Sequence, residues 1–397
     1  MKLKSIKQIK NLTGKKVLLR VDFNVPLTGG KNPKVAEDMR ITESLPTLKY
    51  LLNKKAILIL VSSLGRPNGV RVPELSIKPV AKKLEQLLGK KVLITPDCIS
   101  DETKKIIDSL KPGEIVMMEN AEYHSEEKNN DVKFSKRLAS FADIYINEAF
   151  AKSHRAYATM VGVPKFLPSY AGFLLEKEIK ELSHVFNHPK RPFVALIGGV
   201  KISTKLGVIK NLLKIADDVM IGGALANTVL KAKGISVGRS IVEEDMVKAL
   251  RKLKLTDTHL HIPVDVIVSD KMTKNAKAKV KAAGNIAKNE YALDIGPDTL
   301  KLYDCIIRES RTIIWNGPMG MFENPKFASG TVGVIHAVVH SSAKIIIGGG
   351  ETAEAIKSLK SFMHFERSNI YISTGGGAML KFLEDKTLVA LKPLIKK

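Results

Sequence analysis

The sequence predicts an α/β protein with two domains, each built on a mainly parallel sheet. The first observation is a unit that recurs four times in the second half of the chain: an apolar, β-branched run, two or three glycines, and then a helical periodicity. The four units are "VALIGGVKISTK" (194–205), "VMIGGALANTVL" (219–230), "IIIGGGETAEAI" (345–356) and "IYISTGGGAMLKFL" (370–383). Strand, loop and helix in this order are typical of parallel sheets. The second observation is the length of 397 residues, which suits two domains better than one.

The glycines that end these strands predict a binding site for phosphate. Each glycine loses more backbone entropy on folding than any other residue, so a run of three needs a reason. In a parallel sheet the helix N-termini gather along one edge, where exposed N–H groups and positive dipole ends favour anions. A single glycine-rich turn is more often only structural, but four together favour a phosphate site.

The first half of the chain predicts a second domain of the same class. Before residue 170 the strand candidates are "KKVLLRVDFNV", "AILILV", "KVLIT", "EIVMM" and "DIYIN", with helical patterns such as "SIKPVAKKLEQLLG" between them. A helix predicted over residues 168–189 follows and connects the halves. Its apolar stripe consists of Leu175, Ile179, Leu182 and Phe186. We therefore expect an N-terminal domain over 1–172, a C-terminal domain over 173–380 and a C-terminal tail over 381–397 that packs back toward the N-terminal domain.

Composition excludes several classes of protein. The net charge of +24 comes mostly from lysines spread along the whole chain, without a dense basic block, so we expect no nucleic-acid partner. We expect no membrane partner either, because no apolar run approaches the length of a membrane helix. The two cysteines, Cys98 and Cys305, are far apart, which favours a reducing cytosol and no disulfide framework.

Polar side chains cluster near the end of the first strand, in "LLRVDFNVP" (18–26). Arg20, Asp22 and Asn24 share one face if the strand continues through this segment. A central parallel strand is normally apolar on both faces, so these groups predict a site. The alternative is an edge strand with one solvated face.

Three arginines in the first half fall at similar junctions, namely Arg40, Arg66 and Arg155. Lysine is the default cation of this chain, so arginine at a strand end suggests bidentate recognition of carboxylate or phosphate. Taken singly, each arginine favours the interpretation as a surface ion pair, but together they predict a basic notch.

Two lysines, Lys201 and Lys205, are spaced i,i+4 where the first glycine-ended unit turns into a helix. Cations are unfavourable at a helix N-terminus, and like charges at this spacing repel each other. A bound polyphosphate would relieve both problems. The alternative is coincidence, because lysine is so frequent in this chain.

Seven motifs together resemble the phosphoglycerate kinase family. They are, in order, "RVDFNVP", "SLGRP", "HRAYATMVG", "IGGVKISTK", "WNGPMGMFE", "GGGET" and "STGGGAML", and the resemblance extends from about residue 5 to the end. It implies two Rossmann-like, three-layer αβα domains joined by an interdomain helix and a hinge. It also implies a cytoplasmic, monomeric enzyme of glycolysis that reversibly transfers phosphate between 1,3-bisphosphoglycerate and ADP, giving 3-phosphoglycerate and ATP, with Mg²⁺ as cofactor.

The resemblance also implies the roles of individual residues. Substrate-binding positions match Asp22, Asn24, Arg40, Arg66 and Arg155. Arg40 and Lys201 match the catalytic positions. Nucleotide-binding positions match Gly199, Lys205, Asn316, Pro318, Glu323, Gly348, Gly349, Gly350, Glu351 and Thr352. Glu351 also stands at the position of the magnesium ligand.

The sequence departs from the family pattern at four positions. Ser63 replaces a substrate-binding histidine, and Glu122 replaces an arginine that binds the substrate phosphate. Thr204 and Glu351 stand where aspartate is usual. Because Glu122 places a negative charge where a phosphate docks, we expect weakened phosphoglycerate binding with retained chemistry, unless Glu122 turns away to a lysine. The alternative function is a nucleotide-binding regulatory protein with an altered acceptor pocket.

Overall fold

Each half of the chain folds on a six-stranded parallel sheet. The computed structural model describes residues 1–30, 32–252, 258–358 and 369–396. Contacts within it define two units: Met1–Lys180 together with Thr387–Lys397, and Glu181–Lys386. The α/β class with mainly parallel sheets, predicted from the strand–glycine–helix pattern, is confirmed.

The first unit contains all five predicted strands and a sixth. They are β1 (Lys16–Arg20), β2 (Ile57–Val61), β3 (Val92–Ile94), β4 (Ile115–Met117), β5 (Ile144–Asn147) and β6 (Ser169–Ala171). Their order in the sheet is β3-β4-β2-β1-β5-β6, and every neighbouring pair is parallel. Carboxyl ends of parallel strands meet at one edge, so the segments after β1, β2 and β5 are neighbours.

Helices cover both faces of this sheet. They are α1 (Met39–Thr42), α2 (Leu45–Asn53), α3 (Lys78–Leu88), α4 (Asp101–Asp108), α5 (Ser125–Lys128) and α6 (Val132–Ala139). Leu19 of β1 packs in a cluster with Leu48 of α2 and Val80 of α3. The adjacent Leu18 packs in a second cluster that includes Phe134 of α6. Alternation along the strand thus gives three layers.

The first strand is shorter than predicted. It ends at Arg20, whose partners Val61 and Asn147 are the last residues of the two flanking strands. Arg20 is fully buried, and its Nε donates to the Thr159 hydroxyl at 2.8 Å. The prediction that Arg20 shares a strand face with Asp22 is therefore wrong, because the chain leaves the sheet where its neighbours end.

The predicted connecting helix is also shorter. Ser169–Ala171 pairs in parallel with β5 as a strand, and helix α7 begins only at Phe173 and ends at Asn187. Three residues of the predicted stripe, Leu175, Ile179 and Leu182, are buried as expected. The side chain of Phe186 lies outside the described part of the structure.

The second unit brings the glycine-ended strands into one sheet. Its strands are β7 (Phe193–Ile197), β8 (Asp218–Ile221), β9 (Leu260–His261), β10 (Asp265–Ser269), β11 (Lys279–Ala282), β12 (Tyr291–Ile295), β13 (Thr312–Asn316), β14 (Lys344–Gly348) and β15 (Ile370–Ile372). The large sheet has the order β15-β14-β13-β7-β8-β9 with parallel neighbours, and β11-β10-β12 form a small antiparallel sheet. The expectation that the four glycine runs share one edge is confirmed.

A helix follows each glycine run. The helices of this unit are α8 (Leu206–Ile215), α9 (Ala224–Ala232), α10 (Glu244–Arg251), α11 (Pro297–Glu309), α12 (Ser329–His340), α13 (Gly350–Ser358) and α14 (Gly376–Asp385). The helix predicted to start at Lys201 begins instead at Leu206, so Lys201 lies in the preceding turn. None of the helices in the described ranges has the length and hydrophobicity that a membrane-spanning helix requires.

Candidate functional site

The loops after β7, β8 and β13 pack backbone against backbone. Gly223 has a φ of +68°, and a Cβ placed on it would lie 2.6 Å from the Gly199 nitrogen and 2.9 Å from the Pro318 oxygen. The Gly199 N–H donates to the Pro318 carbonyl at 2.8 Å. Some of these glycines are therefore required by contact between loops, whether or not a ligand is bound.

Lys205 lies beneath these loops. Its side chain is 8% exposed, and Nζ donates to the carbonyls of Gly198 at 2.5 Å and Asn316 at 3.4 Å. Burial lowers the pKa of Lys205 to about 8, while the negative charge of Glu351 acts in the opposite direction. Lys205 therefore links the ends of β7 and β13, and the charge of Glu351 at the start of α13 acts on its ammonium group.

The N-terminus of α13 is held against β13. The Gly317 N–H donates to Thr352 Oγ1 at 2.7 Å, and Asn316 Nδ2 donates to the Gly348 carbonyl at 2.9 Å. Gly349 has a φ of +104°, which favours glycine. Apart from its chain neighbours and its own helix, no described residue has an atom within 4 Å of a Cβ built on Gly350, so open space adjoins the first residue of the helix.

A cavity of about 340 Å³ opens at this edge of the sheet. Four predicted nucleotide residues line it: Gly199, Pro318, Glu323 and Glu351. The remaining wall comes from residues that sequence reasoning did not select, namely Val200, Gly223, Ala224, Asn227, Ile241, Met272, Ala292, Leu293, Gly320 and Met321. Gly223 and Ala224 belong to the second glycine-ended unit, so the sequence pattern could have identified them. Met272 and Leu293 belong to no motif.

The largely apolar wall suits a ligand that is partly apolar. The other predicted nucleotide residues, Lys205, Asn316, Gly348, Gly349, Gly350 and Thr352, lie next to the cavity in the network at the start of α13. The structure thus brings the predicted nucleotide residues together in the second unit.

Lys201 lies in the exposed turn between β7 and α8. Its carbonyl accepts from the Thr204 hydroxyl at 2.9 Å. The same turn is anchored by Glu243, which accepts from the Ser203 N–H at 2.9 Å and from the Ser203 hydroxyl at 2.6 Å. Lys201 is therefore a solvent-exposed cation on a fixed turn, whereas Lys205, four residues later, is buried.

Glu351 is an exposed carboxylate in the first turn of α13. Within the described ranges, no cluster of three or more His, Cys, Asp or Glu side chains forms a complete metal site. Mg²⁺ is commonly held by one or two carboxylates together with substrate phosphates. A single carboxylate beside a helix N-terminus therefore fits a magnesium site that the phosphates of a nucleotide complete.

In the first unit, a second constellation follows β1 and β2. Arg40 Nη1 donates to Asp22 Oδ2 at 2.8 Å and to the Asn24 carbonyl at 3.0 Å. Asn24 Oδ1 accepts from the Gly65 N–H at 2.8 Å, which places the neighbouring Arg66 beside this group. Asp22 is 7% exposed, so its carboxylate is a buried partner of the half-buried Arg40, whereas Arg66 is exposed.

Arg155 lies in the exposed turn after β5, next to a histidine that the sequence analysis did not select. Burial lowers the pKa of His154 to about 4, and the charges of Arg155 and Lys152 add to this effect, while Asp22 opposes it. His154 therefore remains neutral near neutral pH. The turn that carries His154 and Arg155 follows β5, whose parallel neighbour β1 leads to Asp22, so the two segments lie at the same edge of the sheet.

The two residues that depart from the family pattern are both buried. Ser63 is fully buried, and its Oγ has no hydrogen-bond partner among the described residues. Glu122 is 2% exposed and forms ion pairs with Lys152 at 3.1 Å and Lys128 at 3.3 Å. Burial disfavours the ionised carboxylate, but Lys152 and then Lys128 outweigh it, and the pKa of Glu122 is lowered.

The premise that Glu122 repels a phosphate therefore needs correction. Its carboxylate is neutralised by two ammonium groups instead of facing the ligand alone. Of the two orientations considered from the sequence, the structure shows the one in which Glu122 turns to lysines.

Comparisons with known proteins agree over nearly the whole chain. The sequence model of the phosphoglycerate kinase family matches residues 6–386. The chain is 43% identical to phosphoglycerate kinase of Pelotomaculum thermopropionicum over 398 residues, covering 99% of both sequences. It is 44% identical to that of Geobacter metallireducens over 399 residues, again covering 99% of both.

Solved structures give the same result. Phosphoglycerate kinase from Coxiella burnetii matches with a TM-score of 0.84 at 36% identity, covering 99% of this chain and 98% of that one. The enzyme from Pyrococcus horikoshii matches with a TM-score of 0.84 at 31% identity and the same coverage. Sequence and structure together show that the chain belongs to the phosphoglycerate kinase family.

Proposed function

We propose that this chain carries out the family's reaction with nucleotide bound at the glycine-ended edge of Glu181–Lys386 and phosphoglycerate bound by the arginine-bearing loops of Met1–Lys180. The reaction is reversible phosphoryl transfer between 1,3-bisphosphoglycerate and ADP, giving 3-phosphoglycerate and ATP, by a phosphotransferase with a carboxyl acceptor. The observation that carries the site assignment is the cavity of about 340 Å³ beside the N-terminus of α13.

On the nucleotide side, the apolar part of the cavity receives the base and Glu323 binds the ribose. The phosphates lie at the start of α13, where Gly349 and Gly350 present bare backbone and the helix dipole favours negative charge. Asn316, Pro318 and Thr352 fix the loop that carries this surface. Lys205 supplies a buried positive charge beneath it.

Magnesium bound with the nucleotide would be held by Glu351 and would neutralise part of the phosphate charge. Glu351 needs no other carboxylate for this role, because the phosphates supply the remaining ligands.

On the acceptor side, cations surround the glycerate. Arg40 is oriented by Asp22 and Asn24, and Arg66 and Arg155 are exposed cations on neighbouring turns. Arginine suits carboxylate and phosphate because its planar fork can donate two parallel hydrogen bonds. Ser63 is fully buried in the segment that leads from β2 to Gly65 and Arg66.

The chemical step depends on position and charge more than on acid–base groups. The transferring phosphoryl group spreads negative charge over its oxygens, and cations aimed at that charge stabilise it. Lys201 and Arg40 provide those cations. The acceptor carboxylate of 3-phosphoglycerate is already ionised at neutral pH, so no general base is required.

A coupled assay tests the function. Purified protein with 3-phosphoglycerate, ATP and Mg²⁺ should show turnover that depends on all three. A folded protein that binds MgADP but gives no turnover would contradict the proposal and favour the regulatory alternative. No observation among the described residues supports that alternative. We further propose that the enzyme acts as a cytoplasmic monomer. Size-exclusion chromatography with light scattering tests the oligomeric state.

A further inference from the structure

Lys152 is a cation that the sequence motifs do not single out. It ends the short helical turn Phe150–Lys152, which follows β5 after Glu148 and Ala149. Its side chain is 16% exposed, and Nζ donates to Glu122 Oε1 at 3.1 Å. The other oxygen of Glu122 pairs with Lys128 at 3.3 Å. A carboxylate that is 2% exposed thus anchors two lysines from different parts of the chain.

The position of Lys152 connects it to the proposed acceptor site. The Arg155 N–H donates to the Lys152 carbonyl at 2.9 Å, so both cations belong to one turn. The charges of Lys152, Arg155 and Asp22 all act on the same imidazole, that of His154. Strands β1 and β5 are parallel neighbours, so the turn after β5 lies beside the segment after β1 that carries Asp22, and Asp22 in turn holds Arg40 at 2.8 Å.

The ion pairs give Lys152 a defined orientation and leave positive charge available. One carboxylate shared by two ammonium groups leaves a net charge of one positive unit. An ammonium has three N–H donors, and Glu122 accepts one of those of Lys152. Lysine normally loses much rotamer freedom when it binds an anion, but a side chain already held by a buried carboxylate loses less.

We propose that Lys152, oriented by Glu122, binds the phosphate ester of 3-phosphoglycerate. The proposal rests on the function proposed above, which places the substrate at Asp22, Arg40 and Arg155. Glu122 is then a positioning residue, since it acts only through Lys152. Lys128 holds the far oxygen of Glu122 and does not contact the substrate.

Two matched variants separate these roles, because each removes one ammonium group from Glu122. Lys152→Met should raise the KM for 3-phosphoglycerate about tenfold or more while leaving the KM for ATP within about twofold. Lys128→Met should change the KM for 3-phosphoglycerate less than about threefold. Lys152→Arg, which keeps the charge, should recover most of the lost affinity. Melting temperatures of all variants report folding separately.

Three outcomes would overturn the proposal. The first is an unchanged KM for 3-phosphoglycerate in Lys152→Met. The second is an equal rise in Lys128→Met, which would show that the intact ion-pair cluster matters and that Lys152 makes no special contact. The third is a rise in both KM values with a lowered melting temperature, which indicates a structural role.

The failure of this proposal differs from the failure of the proposed function. If the wild-type protein shows no turnover with 3-phosphoglycerate and MgATP, the proposed function is wrong. If the wild type turns over and Lys152→Met keeps its KM, only the role of Lys152 is wrong. Should Lys152→Met not fold, Lys152→Gln replaces it in the same comparison, with the same expected rise in KM.

Discussion

Arg40 Nη1 lies 2.8 Å from Asp22 Oδ2, and the same nitrogen donates to the Asn24 carbonyl at 3.0 Å. These two acceptors on one nitrogen fix the orientation of the guanidinium, although 31% of the Arg40 side chain is exposed. Asp22 Oδ1 is buried and has no hydrogen-bond partner among the described residues. A preoriented cation of this kind can stabilise charge that develops during a reaction without rearranging first.

Arg40→Lys should lower kcat by about 100-fold or more, while the KM for ATP stays within about twofold. Lysine keeps the charge but not the fork that reaches Asp22, Asn24 and the transferring group together. A matched control is Arg71→Lys, since Arg71 is exposed in the same unit and donates only to the Pro96 carbonyl at 3.3 Å among the contacts described. Equal kcat values for the two variants would contradict the catalytic role of Arg40.

Two glycines on the nucleotide edge should respond differently to alanine. Outside its own helix and its chain neighbours, no described residue comes within 4 Å of a Cβ on Gly350, so Gly350→Ala should fold normally but weaken MgADP binding about tenfold. Gly223→Ala should instead destabilise the fold, because its Cβ would meet backbone at 2.6 Å and its φ is +68°. Calorimetry and thermal melting measure the two effects. An unchanged Kd for MgADP in Gly350→Ala would show that no phosphate approaches there.

For Glu122→Arg, the structure predicts the opposite of what the sequence suggests. From the family pattern alone, arginine would restore a lost phosphate contact and lower the KM for 3-phosphoglycerate. In the structure, the new guanidinium would be buried against Lys152 and Lys128, which lie 3.1 and 3.3 Å from the carboxylate. Three clustered cations repel each other, so we expect a lower melting temperature and a raised KM. A lowered KM would support the sequence-based expectation instead.

Glu148 predicts a pH dependence of stability. Glu148 directly follows β5 and is fully buried, and its Oε1 accepts from the N–H of Leu174 in the first turn of α7 at 3.2 Å. Burial raises its pKa from 4.5 to about 8. Between pH 4.5 and about pH 8, the Glu148 carboxyl group keeps its proton in the folded chain and loses it in the unfolded chain. Stability is therefore present at low pH and falls as pH rises from 4.5 to about 8.

Glu148→Gln should remove this loss, because the amide is neutral and keeps an acceptor for Leu174. Relative to wild type, the variant should gain stability on the order of 3 kcal/mol between about pH 5.5 and about pH 8.5. Glu43→Gln, which breaks only an exposed ion pair with Lys177, is the control. Urea unfolding at the two pH values measures the difference. A constant difference across this range would show that Glu148 does not titrate as described.

The parallel sheets could be predicted from the sequence because their signals are local. Each glycine-ended strand carries its own apolar run, and the parallel rule then places all four at one edge. The end of β1 could not be predicted in this way. It is set by Val61 and Asn147, which end the flanking strands and are distant in sequence.

The partners of individual side chains could not be predicted from local sequence patterns either. Glu122 looks like a free negative charge in the sequence, yet it pairs with a lysine 30 residues away. Met272 and Leu293 line the cavity although they belong to loops and strands without any motif. Long-range contacts of this kind arise only when the chain folds.

The most direct test of the proposed site is the turnover of Lys201→Met, measured together with its Kd for MgADP. Lys201 is exposed on a turn held by Ser203 and Glu243, so the variant should fold and bind nucleotide as the wild type does. A charge used mainly in the transition state affects kcat, so turnover should fall by about 100-fold or more with Kd within about twofold. Turnover within about threefold of wild type would contradict the role of Lys201 and the transfer site built on it.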